Sequence, residues 1–189
     1  MEEIQNTPII YVVGPALSGN TTLGRNFQGR GFTWLEMSEI IRDRVKKDPI
    51  FREYAENVSA IGNLLPDKIM NTLFRDRVRN ISTRTIVTGY PITEGQGYFA
   101  FNHAQEKGYD PLFVIIQASS EVCEKRASPL GCQVQNRSDD FAVRESRDKM
   151  YDREIVLLEK FLLSIDDKQV LFVDGEQDEQ TILVRVSHL

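Results

Sequence analysis

The sequence has few of the residues that metal centres and covalent frameworks require. Its 189 residues include two cysteines, Cys123 and Cys132, and two histidines, His103 and His188. Two cysteines cannot supply a disulfide framework or a four-thiolate zinc site, and two distant histidines do not favour histidine-based metal or triad chemistry. We therefore expect no metal-ligating residue, and so little cysteine favours a reducing, cytoplasmic compartment.

Excess positive charge and long apolar runs are also lacking. The chain has 23 lysines and arginines against 28 aspartates and glutamates, a formal net charge of −5. Nucleic-acid binders normally carry a basic excess, so we expect no nucleic-acid partner. No run approaches the roughly 18 apolar residues of a membrane span, and residues 1–8 do not resemble a signal peptide. These absences predict a cytoplasmic protein without membrane contact, which we expect to be a monomer.

Short, largely apolar runs alternate with segments of helical spacing. The runs that predict buried strands are 9–13, 85–87, 112–116 and 170–173, with a shorter one near 32–35. Helices are expected over Asp67–Val78, Glu94–Glu106 and 139–163. Alternation of this kind predicts an α/β fold, with a parallel five-stranded sheet and helices on both faces. Without repeats or a long linker, the chain is expected to form a single domain.

Two segments interrupt this alternation. Residues 127–136 lack periodicity between two helical segments, which predicts an exposed loop, and residues 48–63 form a helical excursion before a turn. Either segment could be a mobile cover over a ligand site. The alternative is that both segments are ordinary surface structure, and the two segments by themselves favour this alternative.

A glycine-rich segment follows the first predicted strand directly. In Gly14–Thr22, two glycines have the spacing of the G-x-x-x-x-G-K-[ST] loop, whose backbone N–H groups surround phosphate oxygens. Asn20 stands where that pattern has lysine, so the loop can donate a hydrogen bond there but supplies no charge to the phosphates. The alternative is a simple glycine turn. The candidate nucleotide-binding residues are Gly14, Ser18, Gly19, Asn20, Thr21 and Thr22.

This loop and four further segments, in the same order, resemble the adenylate kinases of the short-lid type. Residues 35–42 (LEMSEIIR) resemble the segment that opens the monophosphate site, and residues 62–67 (GNLLPD) resemble the Gly-x-Leu-Val-Pro turn. Residues 88–92 (TGYPI), with Gln96 after them, resemble the Asp-Gly-Tyr-Pro-Arg segment and its adenine-reading glutamine. The last segment comprises Arg126 and, beyond a short lid, residues 137–140 (RSDD). Five motifs in order are far more specific than any one of them.

The resemblance implies a P-loop kinase fold over residues 1–189, with an AMP-binding segment at 37–66 and a short lid at 127–138. It implies ATP and AMP as ligands, and Mg²⁺ with ATP if the protein is active. The positions that it assigns to phosphoryl transfer are Arg126, Arg137 and Arg147. Further nucleotide-binding positions that it implies are Arg42 for the AMP phosphate, Leu65, Gly89 and Gln96.

Several positions depart from the family pattern. Besides Asn20, Thr88 replaces the aspartate that anchors the Mg²⁺ water shell, and Ile92 replaces an arginine of the AMP phosphate. Met37 replaces a threonine of the AMP site, Leu17 replaces a loop glycine, and a second lid arginine has no counterpart. Preorganised electrostatic groups are worth roughly 2.7–4 kcal/mol each where measured, so losing two or three slows transfer by orders of magnitude.

The sequence therefore predicts a pseudokinase that binds nucleotides weakly and has lost most or all phosphoryl transfer. The alternative is an active but divergent nucleoside monophosphate kinase, and whether the chain is an enzyme stays open at this point. A cation from elsewhere, such as Lys125 or Arg25, could restore the missing charge. The sequence names no protein partner.

Individual residues also have simpler interpretations. Arg42, Arg126 and Arg147 fall on predicted helices, where surface arginines are common, and Arg147 follows Arg137 by one residue fewer than the resemblance implies. Arg137 could belong to a helix start. Gln96 could be a solvated helix residue, His103 is expected at the surface, and Cys123 is expected to be a small core residue.

Overall fold

The computed structural model describes residues 7–79, 81–130, 141–165 and 167–186, which include a five-stranded parallel sheet. The strands are β1 (Thr7–Val13), β2 (Thr33–Glu36), β3 (Thr85–Thr88), β4 (Tyr109–Gln117) and β5 (Val170–Asp174). Their order across the sheet is β2-β3-β1-β4-β5, and each neighbouring pair is parallel. Every strand predicted from an apolar run is present, which confirms the predicted sheet.

Helices connect the strands. They are α1 (Asn20–Gly29), α2 (Met37–Lys47), α3 (Pro49–Ala60), α4 (Asp67–Val78), α5 (Glu94–Glu106), α6 (Ser120–Leu130), α7 (Phe141–Ile165) and α8 (Glu179–Arg185). A 3-10 turn at Asp167–Gln169 precedes β5. No helix within the described ranges is long and apolar enough to cross a membrane.

Two of the three predicted helices have the predicted bounds, whereas the third, predicted over 139–163, is observed as α7 and ends two residues later, at Ile165. Helices α4 and α5 match the predicted bounds, and the predicted excursion contains α3, which begins where the Asp48 carboxylate accepts the backbone N–H groups of Ile50 and Phe51. The exposed loop predicted from residue 127 was wrong at its start, because α6 continues through residues 127–130. The remainder of that loop, residues 131–136, lies outside the described residues.

The core lies on both faces of the sheet, which explains the uninterrupted apolar run of β1. Ile9, Tyr11 and Val13 pack on one face with α4, α5 and α7, whereas Ile10 and Val12 pack on the other with α1 and α8. All five side chains are buried. Helices on both faces, as predicted, leave no solvent-facing side for polar residues along this strand.

The sheet order brings the candidate site together at one edge. Strand β1 lies between β3 and β4, so the segment after β1 occupies the centre of the carboxyl-terminal edge, where ligands bind in open α/β sheets. The register pairs Val12 of β1 with Thr88 of β3, and Thr88 with Glu36 of β2. The loops that follow these three strands therefore lie next to one another.

Candidate functional site

The loop between β1 and α1 is held in a conformation with two left-handed residues. Gly19 has a φ of 118°, and Leu17 has a φ of 67°. Leu17 is the only residue other than glycine with positive φ in the described part of the chain. Because a side chain in this region crowds its own backbone, the conformation costs roughly 1–2 kcal/mol. The strain expected from leucine at a loop glycine position is therefore present.

The amino-terminal end of α1 opens onto this loop. Gly19 is the N-cap residue and offers no side-chain hydrogen bond, and the first turn of α1 carries no acidic residue. The amides of that turn and the positive end of the helix dipole can therefore meet an anion. Thr21 is exposed at this end, and Ser18 is fully buried beneath it. The start of α1 thus has the backbone that a phosphate cradle requires, and phosphate binding there stays a prediction.

The Asn20 side chain points back into the loop. Its Nδ2 donates to the carbonyl oxygen of Gly14 at 2.8 Å, and its Oδ1 accepts from Ser18 Oγ at 3.3 Å. Both ends of the amide are thus bound within the loop. Where the pattern has a cation for phosphates, this chain has a neutral side chain that joins the two ends of its own loop.

Gly14 is enclosed on several sides. A Cβ atom at this position would lie 2.6 Å from Ser18 Oγ and 2.8 Å from the carbonyl oxygen of Ile116, so only glycine fits. The Gly14 N–H donates to the hydroxyl of Tyr151 on α7 at 3.2 Å, and that hydroxyl in turn donates to the Gly14 carbonyl. Burial raises the pKa of Tyr151, which keeps the hydroxyl protonated. Sequence reasoning missed Tyr151, whose only signal is its place on a long helix.

Arg126 brings a positive charge to the loop from α6. Its Nη1 donates to the carbonyl oxygens of Leu17 and Ser18, each at 3.3 Å, and its Nη2 donates to that of Gly175 at 2.7 Å. The guanidinium of Arg126 thus donates to three backbone carbonyl oxygens. Lys125 does not restore the missing charge, because its Nζ lies 2.6 Å from Glu121 Oε1. Among the described residues no hydrogen bond or ion pair joins Arg25 to the loop.

The position expected to anchor Mg²⁺ is buried and neutral. Thr88 is 1% exposed, and its hydroxyl accepts from the indole Nε1 of Trp34 at 3.0 Å. Glu36 pairs with Thr88 in the sheet register, and its carboxylate, which sequence reasoning missed, accepts from Ser38 Oγ at 2.6 Å. No group of three or more His, Cys, Asp or Glu residues in the described ranges could hold a metal. These donors do not fit an Mg²⁺ ion anchored at Thr88.

The candidate monophosphate side keeps one free cation. Arg42 lies exposed on α2 and forms no hydrogen bond or ion pair with any residue that the structure describes. Gly89 has a φ of 73°, and a Cβ there would lie 3.9 Å from Met37 Cβ, so the segment after β3 approaches the start of α2. Leu65 is half-buried and packs against the core. A phosphate could therefore reach Arg42, but Ile92 offers no second cation.

Gln96 is not the solvated residue of the simpler interpretation. It is 1% exposed, its Oε1 accepts from the Ile92 N–H at 2.9 Å, and its Nε2 donates to Asp67 Oδ1 at 2.9 Å. The same oxygen of Asp67 accepts from Thr93 Oγ1 at 2.8 Å. Both ends of the Gln96 amide are thus bound to protein, and its role in reading a base stays a prediction. Sequence reasoning placed Asp67 in the turn of residues 62–67 and at a helix start, and missed it as a partner of Gln96.

Two further expectations need correction, and two stay untested. His103 is 7% exposed rather than at the surface, its ring stacks on Phe99, and its Nε2 is buried without a partner among the described residues. Burial lowers its pKa. Cys123 is half-buried rather than part of the core. The roles of Arg137 and Arg147 stay predictions, because Arg137 lies outside the described residues and the description of Arg147 is limited to its place in α7.

Comparison with known proteins points to the same family as the motifs. No family model matches the chain. The adenylate kinase of Pyrococcus abyssi is 34% identical over 101 residues, which are 52% of this chain and 46% of that protein. The adenylate kinase of Pyrococcus furiosus is 33% identical over 122 residues, 63% of this chain and 55% of that protein. The match thus spans about half the length of these archaeal relatives.

A longer but weaker similarity covers nearly the whole chain. The adenylate kinase of Kocuria rhizophila is 26% identical over 184 residues, which are 95% of this chain and 90% of that protein. The five-stranded parallel sheet and the helical connections are those of the α/β P-loop kinase fold that the motifs predicted. Motif order, fold and sequence similarity thus agree, and each shows a similarity of this chain to the adenylate kinases.

Proposed function

We propose that this protein binds adenine nucleotides in the manner of an adenylate kinase but has lost most or all of the phosphoryl transfer. The observation that carries this proposal is the hydrogen bond from Asn20 Nδ2 to the Gly14 carbonyl oxygen. At the position where the loop pattern supplies a mobile positive charge, the chain has a neutral group committed to its own backbone.

Phosphoryl transfer depends on positioning and on positive charge around the transferred group, with little need for an acid or base. Of the positions that would supply this charge, Asn20 and Ile92 are neutral. Thr88, where a carboxylate would anchor Mg²⁺, is a neutral hydroxyl bound to Trp34. The free amides at the start of α1 remain, and they favour binding of phosphate oxygens without accelerating their transfer. Nucleotide binding is therefore retained to a greater extent than phosphoryl transfer.

The alternative is an active, divergent nucleoside monophosphate kinase, and one observation favours it. Arg126 already contacts the loop at Leu17 and Ser18, so a positive charge lies beside the proposed phosphate site. A nucleotide that drew its guanidinium from these carbonyls would recover part of the charge that Asn20 lacks. The exposed Arg42 would serve the acceptor phosphate.

The ligands of this proposal are ATP and AMP, bound weakly. Mg²⁺ would arrive with ATP, held by phosphate oxygens and the Thr21 hydroxyl, since Thr88 provides no carboxylate. A divalent ion there would neutralise phosphate charge. We propose a cytoplasmic monomer, in keeping with the composition of the chain.

Titration calorimetry with ATP, with and without Mg²⁺, tests the binding step. We expect a dissociation constant weaker than about 10 µM. The variant Thr21→Asp, which adds a negative charge at the exposed loop position, should abolish binding, whereas Thr72→Asp on the exposed side of α4 should not change it. Tighter binding, in the low micromolar range, would show that the missing lysine matters less than we propose.

A coupled assay for ADP formation from ATP and AMP tests the chemistry. Kinases of this kind typically turn over at about 1–100 s⁻¹. We expect a rate more than about a hundredfold below that range, a difference of roughly 3 kcal/mol in activation free energy. Turnover within that factor, with AMP or another monophosphate, would establish the alternative function.

A further inference from the structure

A groove lies between the turn before α4 and the first half of α7. Its volume is about 400 Å³, and none of its lining residues belongs to the phosphate loop. One wall is formed by Leu64, Leu65 and Pro66, and the opposite wall by Met150 and Leu157. Leu157 is 37% exposed. Apolar side chains on two separate segments thus face the same open space.

The apolar wall on α7 continues beyond the groove. Met150, Leu157 and Phe161 are seven and four residues apart, a spacing that places them on one side of the helix, where Phe161 is half-buried and also packs against the core. Eleven residues at 1.5 Å each make this strip about 16 Å long. At its far end the ring of Tyr98, which is 61% exposed, lies 6.0 Å from that of Phe161. A strip of this length matches about three turns of a helix better than it matches a small molecule.

The rim of the groove is negatively charged. Asp67, Glu94 and Glu154 line it, and no lysine or arginine does so in the part of the chain that the structure describes. Neither Glu94 nor Glu154 forms an ion pair with a described residue. The carboxylates of Glu94 and Glu154 are therefore available to a cationic partner, and they disfavour an acidic one.

We propose that this groove docks an amphipathic helix of another protein, with apolar side chains on one face and lysine or arginine on its flanks. The apolar strip and the acidic rim together define this chemistry. A second copy of the chain fits poorly, because a twofold contact would place the three carboxylates of one copy against the same three of the other. The groove shares no residue with the phosphate loop, and Leu65 is the residue that it has in common with the candidate monophosphate site, so peptide binding and ATP binding can fail separately.

The test uses a fluorescent peptide of three to four helical turns, with leucines on one face and lysines on both flanks. Fluorescence anisotropy should give a dissociation constant of about 10–100 µM. A peptide with glutamate in place of every lysine should bind at least about tenfold more weakly, and high salt should narrow this difference. No measurable binding of the lysine peptide below about 1 mM would overturn the proposal.

Variants locate the binding surface. Leu157→Glu and the charge reversal Glu94→Lys should each weaken binding of the lysine peptide at least about tenfold. The matched control is Ile50→Glu, which changes an exposed apolar residue on α3, 83% exposed, and should have no effect. Equal losses in all three variants, or none in Leu157→Glu, would refute a site in the groove. A dimer in light scattering that Leu157→Glu dissociates would show that a second copy occupies it.

Discussion

The phosphate loop and the first turn of α5 both turn polar side chains inward, but they bind them to different kinds of partner. In the loop, Asn20 reaches a backbone carbonyl six residues away, on the same loop. At α5, Gln96 reaches the carboxylate of Asp67, 29 residues away on α4. The first contact closes a loop, whereas the second joins two helices. Changes in the loop should therefore alter function with little effect on folding, and changes at α5 should alter stability.

Restoring charge around the loop should produce the largest effect. Asn20→Lys, Thr88→Asp and Ile92→Arg should each raise ADP formation modestly, by about tenfold or less, because each leaves other groups missing. The rate of ADP formation by the triple variant should rise by at least about a thousandfold, more than the product of the three single gains. The reason is that the three groups stabilise the same transition state. The coupled assay against AMP measures this, with folding checked by circular dichroism.

The matched control for this repair is the uncharged triple variant Asn20→Gln, Thr88→Asn and Ile92→Gln. It has similar side-chain lengths and should gain no activity. A well-folded charged triple without transfer would show that the backbone near Leu17 has left the kinase geometry. Such a result would contradict the division into a functional loop and a structural α5 network.

Removing the Asp67 carboxylate should destabilise the fold. Asp67→Ala leaves Gln96 Nε2 buried without its acceptor, which costs about 1–3 kcal/mol. Urea unfolding measures the loss, and Asp76→Ala, at an exposed position of the same helix with long ion pairs to Arg75 and Arg79, should cost less than about 0.5 kcal/mol. Equal costs for the two variants would mean that the network contributes no more than a surface pair.

Removing one hydroxyl at the loop should have an intermediate effect. Tyr151→Phe preserves the ring and deletes the hydrogen bonds with Gly14, for an expected loss of about 1 kcal/mol in the free energy of unfolding. Tyr98→Phe, at an exposed ring on α5, should change stability by less than about 0.3 kcal/mol. A Tyr151→Phe protein as stable as the wild type would show that the enclosure of Gly14 does not depend on α7.

Acid should destabilise the far end of α5, where Nε2 of His103 is buried without a hydrogen-bond partner among the described residues. Burial lowers the pKa of His103, and the nearby positive charge of Lys107 lowers it further. As the pH falls, His103 is therefore protonated near pH 6.5 in the unfolded chain, before it is protonated in the folded chain. The contribution of His103 to the free energy of unfolding is fully present above that pH. It decreases as the pH drops below it, by at most about 1.4 kcal/mol per pH unit. Unfolding of wild type and His103→Phe between pH 7 and 5 measures the difference, which should vanish if the imidazole is solvated.

The fold followed from the sequence because its signals are local and periodic. The apolar run of β1 needs burial on both faces, and the spacing of α4 and α5 predicts both helices to the residue. The start of the loop after α6 was misplaced because residues 127–130 carry no periodic signal of their own. Motif order supplied the rest of the architecture.

The site was predictable in residue identity but not in side-chain partners. Asn20, Thr88 and Arg126 were recognised, yet nothing in their local sequence indicates the carbonyl of Gly14, the indole of Trp34 or the carbonyls of the loop. Gln96 and His103 show the same limit, because burial of a polar side chain is decided by helices that lie far away in sequence. Contacts of this kind depend on tertiary packing, which periodicity does not encode.

The indole of Trp34 has a consequence for how this sequence can change over time. A Cβ atom at Gly24 would lie 2.3 Å from its Nε1, so α1 rests on β2 only because residue 24 has no side chain. A single substitution at either position should destabilise the fold. A larger residue at position 24 collides with the Trp34 ring. A smaller residue at position 34 opens a void and removes the N–H group that donates to the Thr88 hydroxyl. Among descendants of this chain, the two positions are therefore expected to be inherited as a pair, with a substitution at one accompanied by a substitution at the other.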